Sequence, residues 1–172
     1  MSIIRFGKRA DAAAFIDLFA ALDTETEFMF FEPGERQTSV EHMADRLDRC
    51  EATGDEVFFV ATDETKQKAG IIGFVVGWRS PGFRSQHVLH IVIGLRQIAT
   101  GQGLGRQLMD KITAWAVQNG IHRLELTVME NNLPAQALYS ACGFGTEGIK
   151  HDAVRLRTGY INELTMARLL DD

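Results

Sequence analysis

Three glycines within five positions, Gly101, Gly103 and Gly105, punctuate the stretch ATGQGLGRQLM from Ala99 to Met109. Glycine allows the backbone dihedrals that point successive N–H groups into one concavity. A helix starting directly behind adds four unpaired donors and roughly half a positive charge. The chemistry such a stretch offers is capture of a phosphate or diphosphate by main chain. The Walker pattern needs Gly-Lys-Ser/Thr, whereas Arg106 and Gln107 follow Gly105 here. The dinucleotide pattern G-x-G-x-x-G also fails, because the third glycine arrives one residue early. Its acidic partner about twenty residues on finds only Glu125, inside a predicted strand. A tight strand-to-helix turn without a ligand is the plain alternative.

Other side chains able to do chemistry are scattered. His87 and His90 titrate near physiological pH as a residue type, so either suits a proton acceptor, with Glu125 and Glu130 as further candidates. A lone strand histidine is more often a structural hydrogen-bonder, and the base stays unassigned. Tyr139 shares helical spacing with Ala135, Leu138 and Cys142, which by periodicity alone is a core stripe. Cys142 precedes a helix-ending glycine with no histidine at a telling spacing, so it reads as a buried structural thiol. No cluster of His, Cys and carboxylates has metal-ligand spacing.

The elements that must position these residues alternate along the chain. SIIRF is a short strand. A helix from about 9 to 22 carries Ala14, Phe15, Leu18, Phe19 and Leu22 on one face. Pro33 and Gly34 mark a turn. Thr38 and Glu41 predict a capping box for a second helix with Val40, Met43, Leu47 and Cys50 as its stripe. EVFFVATD and AGIIGFVVGWRS read as strands joined at the polar DETKQK hairpin, and SQHVLHIVIGL as a third. After the glycine loop, a helix from about 103 to 119 presents Leu104, Leu108, Ile112 and Trp115, and Asn119-Gly120 ends it. HRLELTVME alternates as a strand, with Leu124, Leu126 and Val128 on one side. Asn132 caps a short helix with Pro134 in its first turn and Gly143 at its end. The rest predicts a hairpin turning near Arg157, Thr158 and Gly159.

At 172 residues, 45% hydrophobic and 24% charged, with a net charge of −5, the chain reads as one globular domain over 1–172. The acidic balance gives no footprint for nucleic acid, and no apolar run suits a membrane span. The two cysteines and the absence of a signal-type N-terminus favour the cytoplasm. The C-terminal strands are apolar enough to offer an edge for a homodimer.

Together with the segments behind it in the chain, the glycine loop resembles the GNAT superfamily of acetyl-CoA-dependent N-acetyltransferases. Its loop signature, Arg/Gln-x-x-Gly-x-Gly/Ala, is matched at Gly103 and Gly105, with Thr100 in place of the usual long polar first residue. Asn132, Ala135, Leu138, Tyr139, Gly143 and Phe144 match the family's Asn-x-x-Ala-x-x-Leu-Tyr-x-x-x-Gly-Phe segment without a gap. The resemblance, strongest over residues 86 to 170, implies an α/β fold. Its sheet would be mixed and largely antiparallel, flanked by helices, with a strand pair splayed to admit CoA.

What it implies for function is acetyl transfer from acetyl-CoA, as co-substrate, to a primary amine by direct attack in a ternary complex. The acceptor would be a small molecule or a peptide N-terminus. A silent CoA-binding or sensing module, transfer of another acyl group, and mononucleotide binding are the alternatives. The amides of Gly101, Gln102, Gly103, Leu104, Gly105 and Arg106 would cradle the pyrophosphate. Ile93, Gly94 and Leu95 would pair with the pantetheine amides, and an amide near Leu95 would meet the oxyanion. Asn132 would touch the cofactor, and Tyr139 would contact it and act as general acid. Glu25, Glu27, Glu32, Glu35 and Glu41, among Phe28, Met29, Phe30 and Phe31, would wall the acceptor pocket; a solvated loop pinned by buried aromatics is the alternative.

Overall fold

The computed structural model describes residues 2–63 and 70–170. Strand β1 (Ser2–Phe6) leads through a 3-10 turn at Arg9–Asp11 into helix α1 (Ala12–Glu25). The Asp11 carboxylate fixes that entry, accepting the Lys8 N–H at 2.8 Å and the Arg5 guanidinium at 2.7 and 2.8 Å. Phe15, Leu18, Phe19 and Leu22 are buried as their spacing requires.

Helix α2 (Val40–Thr53) begins one residue later than the expected capping box. The Ser39 hydroxyl, not that of Thr38, accepts from the His42 N–H at 3.1 Å. With Ser39 as cap, Glu41 is too early in the first turn to reach back. Val40, as the first helical residue, is 47% exposed rather than part of the stripe, which Met43 and Leu47 carry.

The remaining elements are β2 (Glu56–Asp63), β3 (Gly70–Arg79), β4 (Val88–Leu95), α3 (Leu104–Gln118), β5 (Arg123–Met129), α4 (Leu133–Ala141), β6 (Gly145–Leu156) and β7 (Gly159–Leu169). The seven strands form one sheet in the order β1-β2-β3-β4-β5-β7-β6, mostly antiparallel and flanked by helices. The expected hairpin at DETKQK falls on residues 64–69, outside the described residues. Strand β4 starts at Val88, not Ser85, because Ser85 and Gln86 turn their amides onto the Gly82 carbonyl.

The chain divides into two compact units. One is the chain up to Trp78 with Val92–Ile112; the other is Arg79–Ile91 with the chain from Thr113 onward. In the first, β1 and β3 flank β2 antiparallel, and α1 and α2 pack an aromatic core. Phe15, fully buried, meets Phe58 and Phe74 edge-on, at 5.4 and 6.1 Å between centroids.

In the second unit, β5 pairs antiparallel with β7, and β7 with β6. Leu124, Leu126 and Val128 of β5 are buried, while Arg123, Glu125 and Thr127 on its other face are half-buried. The start of β4 lies parallel to β5 in the register Val88↔Arg123, Leu89↔Leu124, His90↔Glu125. Terminal strand β6 loses register between Lys150 and Val154, where Asp152 adopts φ 51° and donates its amide to Asn162 Oδ1 at 2.9 Å.

Candidate active site

Within the first unit, the path from β4 into α3 is fixed at its start by a single carboxylate. Glu25, at the end of α1, accepts from Arg96 Nε at 2.7 Å and from the Gln97 N–H at 2.8 Å. The Arg96 hydrogen bond holds the Glu25 carboxyl below the usual carboxylate range. A 3-10 turn at Gln97–Ala99 follows, closed by the Thr100 hydroxyl donating to the Gln97 carbonyl at 2.8 Å. The Gln102 side chain folds back to the Ile98 carbonyl at 2.7 Å. These two bonds brace the loop where the family's first motif position is absent.

Gly101 and Gly103 have φ of 72° and 77°, the left-handed region in which a side chain is strained. A Cβ built at Gly101 would meet nothing within 4 Å, and one at Gly103 only Gln107 Nε2 at 4.0 Å. The two glycines therefore present bare main chain to open space at the start of α3. That concavity fits a pyrophosphate, since its donors are backbone amides that a Cβ would screen. Leu104 and Gly105 are buried in the first helical turn, and exposed Arg106 pairs with Asp110 at 3.1 Å.

Upstream, Ile93 and Leu95 are half-buried and Gly94 is buried. A Cβ on Gly94 would lie 2.6 Å from Phe74 Cε1 and 2.9 Å from Leu22 Cδ1; one on Gly73 would lie 2.4 Å from Leu95 Cδ2. The tightness of this strand end was not visible from sequence, because neighbouring elements impose it.

The second unit holds the other expected residues. Asn132 caps α4, its Oδ1 accepting the Ala135 N–H at 3.3 Å. Tyr139 is 7% exposed, with its ring 6.1 Å from that of Phe144. Burial pushes its phenol up to about 12, with Cys142 adding to the shift. Cys142 itself is buried, as expected of a structural thiol.

The candidate bases resolve differently. Glu130 is engaged by the Asn162 side chain at 3.0 Å. The His87 ring lies 6.4 Å from that of His122. His90 is held at both nitrogens, Nε2 2.7 Å from Ser80 Oγ and Nδ1 3.0 Å from Glu125 Oε1. Glu125 in turn accepts from Arg123 Nε at 3.0 Å, and Arg123 also grips Glu147 through both terminal nitrogens. Ser80 escaped sequence reasoning; a serine beside a Pro-Gly turn carries no signal of its own.

In the acidic segment after α1, several groups have internal partners. Asp23 binds Arg36, whose guanidinium lies 4.7 Å from the Phe19 ring and 4.5 Å from that of Phe31. Glu35 accepts the Glu32 amide at 2.8 Å. Phe30 is 65% exposed. Among the described residues there is no group of three His, Cys, Asp or Glu suited to a metal, and no helix long and apolar enough to cross a membrane.

A mixed sheet with a glycine-lined turn between a strand and a helix N-terminus defines a class of nucleotide-carrier-binding α/β proteins. Within that class, residues 19–144 match the Acetyltransferase (GNAT) family, and the chain belongs to it. A GNAT-family acetyltransferase structure from Streptococcus pneumoniae superposes with a TM-score of 0.92 at 24% identity, covering 99% of this chain and all of that one. The yncA structure from Salmonella typhimurium, solved with acetyl-CoA, gives 0.85 at 17% identity, covering 99% of this chain and 95% of that one. At these identities the likeness concerns fold.

By sequence, the chain is 38% identical over 78 residues to a mycothiol acetyltransferase of Jonesia denitrificans, covering 45% of this chain. It is 29% identical over 126 residues to the N-acetyltransferase YobR of Bacillus subtilis, covering 73% of this chain. The chain spans 24% and 45% of those two proteins' lengths.

Proposed function

We propose that this protein transfers an acetyl group from acetyl-CoA to a primary amine, on a small molecule or a peptide N-terminus, by direct attack in a ternary complex. The observation carrying the reading is the pair of left-handed glycines, Gly101 and Gly103, baring main chain at the start of α3. Membership of the acetyltransferase family sets its context.

Acetyl-CoA supplies the acetyl group as a thioester, a linkage that an amine attacks once it has lost its proton. The amides of Gly101 to Arg106 hold the diphosphate, and the main chain at Ile93, Gly94 and Leu95 pairs with the pantetheine arm. A preorganised amide near Leu95 meets the negative charge that develops on the carbonyl oxygen. Asn132 keeps its capping bond while orienting α4, and Tyr139 carries on Oη the proton destined for the departing sulfur. Its burial keeps that phenol protonated at every working pH.

The same burial makes Tyr139 a weaker acid than an ordinary phenol, near 10, and than a thiol, near 8.5. It supports a second reading, a CoA-binding module without turnover in which Tyr139 is core. Thermal shift with acetyl-CoA, CoA, ATP and NAD tests the cradle, and stabilisation by the CoA compounds alone is expected. Preferential stabilisation by ATP or NAD overturns it. Amine-dependent release of free thiol then separates the enzyme from the silent module.

A further inference from the structure

We infer that Ser80, His90 and Glu125 form a one-way proton relay that removes the surplus proton from the acceptor's ammonium group. The inference rests on the acetyl-transfer reading above. His90 and Glu125 face each other in register across β4 and β5, and Ser80 stands just past the end of β3. With Nδ1 3.0 Å from Glu125 Oε1, the carboxylate selects the tautomer that carries hydrogen on Nδ1. Nε2 then has only a lone pair, so at 2.7 Å it accepts the Ser80 hydroxyl hydrogen. Ser80 Oγ, its hydrogen committed inward, offers lone pairs outward. A group arriving at Ser80 with an N–H to donate meets an acceptor.

The charges behind the histidine match this direction. Glu125 and Arg123 are paired, and Arg123 is paired again with Glu147 on β6. Two carboxylates against one guanidinium leave one negative charge, which an imidazolium at His90 neutralises. These three are the titratable groups in the chain of bonds leading from His90, alongside the uncharged Ser80.

The proton balance closes. The ammonium gives a proton to Ser80 Oγ as the Ser80 hydrogen moves to His90 Nε2. The free amine, a neutral serine and an imidazolium result. The His90 side chain is 32% exposed, which lets water carry the proton away. In these terms Ser80 touches the substrate, His90 stores the proton, and Glu125 is a positioning residue.

The test is the pH dependence of kcat/KM for acetyl-CoA and a responsive amine, in the wild type and in Ser80→Ala, His90→Gln and Glu125→Gln. The wild type is expected to show an acid limb. His90→Gln should fall at least a hundredfold at pH 7, lose that limb, and recover towards pH 10, where the amine deprotonates unaided. Ser80→Ala should fall about tenfold and Ser80→Thr should restore most of it. Glu125→Gln should move the limb to lower pH while leaving the acetyl-CoA thermal shift intact. A limb unmoved in His90→Gln overturns the relay but not acetyl transfer; absence of amine-dependent turnover in the wild type overturns both. Independently of turnover, 15N NMR of the histidines should find hydrogen on His90 Nδ1, and hydrogen on Nε2 instead overturns the relay.

Discussion

The glycine loop and the His90 cluster are built on opposite principles. The loop works by what its residues lack, since Gly101 and Gly103 leave main chain uncovered at φ 72° and 77°. The cluster works by side chains, with a hydroxyl, an imidazole, two carboxylates and a guanidinium joined end to end. A site of the first kind is broken by adding atoms, and one of the second kind by removing them. The contrast sorts mutations before any assay is run.

The largest effect should come from addition. Gly103→Val places a branched side chain at positive φ and over the amides, so acetyl-CoA should bind at least a hundredfold more weakly, about 2.7 kcal/mol. Calorimetric titration measures it, with circular dichroism confirming the fold; unchanged affinity would remove the loop from the site. Next is Gly94→Ala, whose new methyl collides with Phe74 and Leu22 and should destabilise by about 1–3 kcal/mol in urea unfolding.

Removal comes third. Tyr139→Phe should bind acetyl-CoA normally and turn over at least tenfold more slowly, about 1.4 kcal/mol in barrier. The low end of the range for acid catalysis is expected, because burial makes the phenol a reluctant acid. Unchanged turnover would leave Tyr139 as core. By the same rule, Gln102→Ala, a deletion within the loop, should cost only one neutral hydrogen bond, about 1 kcal/mol or less, in acetyl-CoA affinity. A loss as large as that of Gly103→Val would show that side chains, not main chain, make the loop.

The smallest effect concerns pH. Glu25 is depressed by its bond from Arg96, so its contribution is present above the ordinary glutamate value, about 4.3, and is lost as pH falls through the lower folded value. Hydrogen exchange at the Gln97 amide should accelerate relative to its neighbours in that acid window. Exchange insensitive to acid would mean that the carboxylate does not hold the loop.

The same contrast explains what could be read from sequence. A main-chain site must write itself in consecutive residues, so Gly101, Gly103 and the helix from Leu104 were legible, as was the Asn132 cap. Alternation in β5 and the Phe15 stripe of α1 were legible because each depends on one element's own period. The His90 cluster depends on register between strands distant in sequence. His90 and Glu125 stood out as residue types, but their partnership with Ser80 and Arg123 did not. Gly73 looked like an ordinary strand glycine, since the demand for it comes from Leu95 on another strand. The α2 cap was misplaced by one residue because Thr38 and Ser39 are both competent hydroxyls, and only the backbone path decides between them.

The break in β6 at Asp152 reaches beyond the sheet it terminates. A long terminal strand is an open template for a neighbouring molecule, and at high concentration such templates seed fibres. The left-handed residue divides the rim into two short runs, before Lys150 and after Val154, neither long enough for a foreign strand to zip along its whole length. Straightening that kink would lengthen the template, and the shelf life of a concentrated sample should shorten with it.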